Sequence, residues 1–84
     1  MKVMRVKTSL IAYDADDELS SGRFDPRGRT QRGEVVVLLC SRHPCEDTER
    51  KWMEHIFVTE SGVLLKIYLM NDSRRVKPFE DVSC

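Results

Sequence analysis

The sequence predicts a mainly β protein, built as a small four-stranded, mostly antiparallel sheet or a half-open barrel. Three observations lead there. Residues 52–70 form the longest apolar block and are broken once, at Glu60-Ser61-Gly62. Residues 35–40 read Val-Val-Val-Leu-Leu-Cys, an apolar run without alternation. Residues 2–13 alternate, with Met4, Val6, Thr8 and Leu10 on one side and Arg5, Lys7 and Ser9 on the other. A period of two is the signature of a strand with one buried face.

The first strand is followed by a compact acidic run, Asp14-Ala15-Asp16-Asp17-Glu18. Behind it stand Ser20-Ser21-Gly22, Asp25-Pro26 and two Arg-Gly steps, all turn formers with little to bury. Residues 14–33 therefore read as one long charged loop. Loops beyond about 12–15 residues are uncommon in compact domains and are usually functional or disordered. The run at 35–40 is apolar on both faces, so it belongs inside a sheet, covered on both sides. Residues 41–50 are polar, with Pro44 marking a turn.

Between residues 52 and 70 the sequence reads as a hairpin. Glu60-Ser61-Gly62 suits a type I turn closed by a glycine bulge, because Gly accepts the positive φ of the last position. This turn pairs Thr59 with Val63, Phe57 with Leu65, His55 with Ile67 and Met53 with Leu69, and places those residues on one apolar face. The other face is mixed: Trp52, Glu54, Ile56 and Val58 against Leu64, Lys66, Tyr68 and Met70. A short helix around residues 46–56, giving an α+β protein, is the alternative. Trp52, Met53, Ile56 and Phe57 also fit a helical stripe, and Glu46, Asp47 and Glu49 suit a helix N-terminus. Residues 72–84 form a mixed tail in which Val76, Phe79 and Val82 are the residues able to pack.

Eighty-four residues make a single domain, 1–84, with a small core. A chain this short buries only about 60% of its unfolded surface. No apolar run approaches the roughly 20 residues of a transmembrane helix. Three cysteines, Cys40, Cys45 and Cys84, fit reduced thiols better than a disulfide framework, so a cytoplasmic location is expected. Fourteen basic and fourteen acidic residues balance, which argues against bulk attraction to nucleic acid or membrane but leaves room for a local patch.

Cys40, His43, Cys45 and His55 are metal-ligand types, yet their spacing lacks the paired knuckles of a structural zinc site. No metal and no cofactor is expected. A cysteine nucleophile needs a neighbouring base, and no oxyanion donor or orienting carboxylate can be named beside Cys40 or Cys45, so the chain is not expected to be an enzyme. Asp14, Asp16 and Glu18 match the start of a calcium-loop spacing, but Leu19 stands where that loop needs Gly.

Arg23, Arg27, Arg29 and Arg32 cluster with Phe24 and two glycines. Within this cluster, Pro26-Arg27-Gly28-Arg29 resembles the core of an AT-hook, which implies an extended Arg-Gly-Arg segment in an A·T minor groove. The adjacent acidic run offers the plainer reading, two loop segments neutralising each other.

The leading expectation is a non-enzymatic module that binds another protein, as an inhibitor or adaptor of a larger enzyme or complex. Such a chain has the character of a phage or mobile-element accessory protein. Its expected contact residues are Trp52, Ile56, Tyr68 and Met70 on the mixed face, since aromatics and Met are enriched at interfaces. The tail through Val76 and Phe79, or a second copy of the chain, are the other candidates to cover that face. The alternative is a small β-barrel that binds nucleic acid through the Arg loop.

Overall fold

The computed structural model describes residues 1–16, 27–44, 47–70 and 77–82. Seven strands run in chain order: β1 (Lys2–Val6), β2 (Ile11–Asp14), β3 (Gly28–Arg29), β4 (Val35–Arg42), β5 (Trp52–Val58), β6 (Leu64–Met70) and β7 (Phe79–Asp81). They make one antiparallel sheet in the order β3-β2-β6-β5-β4-β1-β7. The mainly β, half-barrel expectation holds, with seven strands in place of four. No helix occurs among the described residues. Where the alternative put one, residues 47–51 turn and β5 then pairs on both sides. His55-Ile56-Phe57-Val58 favours the strand because β-branched and aromatic side chains pack well on a pleated surface.

The β5–β6 hairpin keeps the register read from the sequence, from Trp52 opposite Met70 to Val58 opposite Leu64. Thr59 N–H donates to Val63 O at 3.0 Å and Gly62 N–H to Thr59 O at 2.9 Å. Gly62 sits at φ 85°, the left-handed conformation that ends such a turn. The loop before β5 is tied by Asp47, whose carboxylate accepts the Trp52 N–H at 2.7 Å. His43 closes it from the other side, donating from Nδ1 to Trp52 O at 3.0 Å.

The first predicted strand divides into β1 and β2, joined by residues 7–10. These two strands are separated in the sheet by β4, β5 and β6. In a flat sheet that separation is four strand spacings, about 19 Å. The five steps from Val6 to Ile11 reach at most about 17–18 Å even when fully extended. The sheet must curl to let the link close. The inner, concave face then carries the core: Val6, Ala12, Val36, Phe57, Ile67 and Phe79, with Met4, Leu10, Leu38 and Leu65 packed around them.

The second half of the expected 14–33 loop is an edge of the sheet. β3 pairs with Ile11 and Ala12, and Arg27 N–H donates to Ala12 O at 2.8 Å. Thr30 pins this edge to the link. Its hydroxyl accepts the Leu10 N–H at 2.8 Å and donates towards Thr8 O at 3.1 Å, while its own N–H donates to Leu10 O. A two-residue strand has no hydrophobic signature, so a buried threonine supplies the order that the sequence pattern does not announce.

The tail is corrected in the same way. Residues 79–81 add β7 to β1, and Phe79 enters the core at 5.5 Å from the Phe57 ring and 6.3 Å from His55. Phe79 therefore completes the inner face rather than covering the mixed face of the hairpin. Val76 lies outside the described residues.

A β-bulge interrupts β4. Leu38 pairs with Phe57 but Cys40 pairs with Ile56, so Leu39 is an extra residue. The bulge turns Cys40 to the outer, exposed face, where regular pairing of the apolar run would have sent it inward with Val36 and Leu38.

Candidate functional site

With the core on the concave side, the convex side is the surface the fold leaves for other work. Register places Val3 beside Val37, Val37 beside Val58 and Val58 beside Leu64. All four side chains point outward because their neighbours Met4, Val36, Phe57 and Leu65 point inward. They form an unbroken apolar row across β1, β4, β5 and β6. Backbone hydrogen bonds from Ala15 to Leu64 and from Val82 to Val3 set further apolar residues at its two ends. Val3 is 52% exposed and Leu64 42%. No pattern in residues 35–39 singles out Val37, because its inward neighbours are equally apolar.

Beside this row the outer face turns polar, yet it is tightly packed. Glu54 and Lys66 are each only 4% exposed. The Glu54 carboxylate takes Arg42 Nε at 2.6 Å on one oxygen and Lys66 Nζ at 3.6 Å on the other. Lys66 Nζ also lies 5.3 Å from the centre of the Tyr68 ring, and Tyr68 tilts against Tyr13 at 5.8 Å. Buried charges survive when opposite charges and aromatic faces replace the water they lose.

The expected contact residues share this outer face but differ in access. Met70 is exposed, Trp52 and Tyr68 are half-buried, and Ile56 is buried between the apolar row and the Glu54 cluster. The valine row is the more accessible apolar surface.

The arginines expected to bind nucleic acid are partly engaged within the fold. Arg27 pairs with Asp14 at 3.1 Å. The Arg29 guanidinium donates to Ser9 O at 2.9 Å and reaches Ser9 Oγ at 3.3 Å. Arg32 is exposed, and Arg23 lies outside the described residues. The suggested neutralisation of basic by acidic loop segments is realised at the Asp14–Arg27 pair.

Among the described residues, Cys40, His43 and His55 do not come together. Cys40 faces outward opposite Ile56, His55 faces inward, and His43 is committed to Trp52 O. Cys45 and Cys84 lie outside the described residues. His55 Nδ1 and Ser41 Oγ share a hydrogen bond at 2.7 Å, and burial lowers the imidazole pKa below its ordinary value. Comparison with known proteins finds no matching family model, curated relative or solved structure.

Proposed function

We propose that the chain is a non-enzymatic protein-binding module, an adaptor or inhibitor that docks through the convex face of its sheet. The observation that carries this reading is the row Val3–Val37–Val58–Leu64. The described core packs on the opposite face, and these side chains take no part in it. Apolar side chains in one line across four strands give a partner a contiguous contact, while the adjoining exposed Arg42 supplies a polar rim of the kind that interfaces use. Arg27 and Arg29 spend part of their donor capacity inside the fold, which favours protein over nucleic acid as the partner.

The test is Val3→Asp with Leu64→Asp, two exposed positions outside the core, with circular dichroism to check that the variant folds. Parent and variant are used as bait in lysate of the source cells, with and without nuclease, in low and raised salt. The parent retains a defined protein after nuclease treatment and in raised salt, and the variant loses it. Phosphate contacts weaken steeply with salt. Recovered material that is nuclease-sensitive, salt-sensitive and indifferent to the two aspartates overturns the proposal in favour of nucleic acid.

A further inference from the structure

On the concave side, the described residues frame a cleft at one end of the half-barrel. The core residues Phe57, Ile67, Val6 and Val36 pack at its centre, and Phe79 borders a cleft of about 370 Å³. Its walls are Met4, Leu38, Met53 and Leu69 with Pro78 and Phe79, Met70 at the end of β6 borders its rim, and the polar groups are Ser41, His55 and Lys77. This volume lies at the lower end of small-molecule sites, and the composition is theirs: mostly apolar, with a few convergent polar groups, in the mouth of a barrel. Methionine side chains adapt to varied apolar shapes.

We propose that this cleft binds a small amphiphilic carboxylate, its chain among the methionines and leucines and its anionic head at Lys77. Charge decides the sign of the head group. Among the described residues that line the cleft, Lys77 is the charged one and none is acidic. Ser41 and His55 offer an uncharged polar patch. One ring nitrogen of His55 is held by Ser41 at 2.7 Å, and the other has no hydrogen-bond partner among the described residues. A ligand oxygen is the natural complement to such a group, because polar atoms on an otherwise apolar wall orient what binds there.

The four methionines make the test specific to place. Met4, Met53 and Met70 line the cleft, whereas Met1 is 92% exposed and stands apart from it. Methyl-labelled methionine is followed by NMR while decanoate is added below its micellar concentration, with decanol and decyltrimethylammonium as neutral and cationic counterparts. Decanoate shifts the Met4, Met53 and Met70 methyls saturably and leaves Met1 in place. Decanol binds more weakly and the cationic amphiphile more weakly still. Lys77→Gln, at an exposed site, reduces decanoate affinity about fivefold, the scale of one solvent-exposed charge contact, and leaves decanol unchanged. No saturable shift, an equal shift of Met1, or a Lys77→Gln variant that binds decanoate like the parent overturns the proposal.

Discussion

Replacing Glu54 by leucine should cost far more than a surface charge normally does, and a second substitution should restore most of the loss. Glu54 and Lys66 are both almost fully buried, 3.6 Å apart. At an effective dielectric constant of about 20, that separation corresponds to roughly 4–5 kcal/mol of Coulomb attraction, set against the loss of hydration. Glu54→Leu removes the carboxylate and leaves the Lys66 ammonium in place, a change that typically costs about 3–5 kcal/mol. The Arg42 contact adds less, because that side chain is largely in solvent and its attraction is screened. Combining Glu54→Leu with Lys66→Met exchanges the pair for apolar groups of similar volume, and the double variant should lie within about 1.5 kcal/mol of the parent. Urea unfolding at neutral pH, followed by far-UV circular dichroism across the four corners of the cycle, measures the coupling. A single Glu54→Leu loss below about 1 kcal/mol, or a double variant that loses the sum of the two singles, refutes this account of the cluster.

Three further outcomes follow from the fold. Gly62→Val should destabilise by at least about 1 kcal/mol in thermal melts, because φ 85° resists a β-branched residue although no atom lies near the added Cβ; Gly62→Asn should cost less. Thr30→Val keeps shape but leaves the part-buried Leu10 N–H without its acceptor, so chemical unfolding should register a loss of about 1–3 kcal/mol, with the 7–10 link losing protection in hydrogen exchange. His55 contributes a pH dependence of defined sign. Its folded pKa lies below the unfolded value because burial disfavours the imidazolium, so its share of stability is present above the unfolded pKa near 6.5 and lost as pH falls from there towards the folded pKa. The stability of His55→Gln, measured across that window, should fall less steeply than the parent's.

The hairpin was legible because two independent signals agreed in it. Side-chain alternation set the faces, and Glu60-Ser61-Gly62 set the register, so the pairs from Met53–Leu69 to Phe57–Leu65 follow directly. The short strands were not legible, since β3 and β7 owe their place to partners distant in sequence: Thr30 against Leu10 for one, Phe79 against Phe57 for the other. Residues 2–13 read as one strand because polar residues at 8 and 9 do not interrupt a period of two, whereas the curl that divides the strand is a property of the whole sheet. Of the candidate contact residues, Met70 and the outer face as a whole were readable. The burial of Ile56 was not, because it depends on the packing of Glu54 and Lys66, and charges in a sequence look solvated until their partners are known.

The extra residue at Leu39 has a wider effect than the local kink. Beyond it, every side chain of β4 has changed sides: Ser41 meets His55 inside, and Arg42 meets Glu54 outside. Were Leu39 paired in a regular ladder instead, the strand would keep its earlier parity, sending Arg42 inward and Ser41 outward. Two polar contacts on opposite surfaces, which share no atoms, are thus phased by a single insertion. Deleting residue 39 would remove the bulge and keep both pairs in register, whereas forcing that residue into a regular ladder would separate both at one stroke.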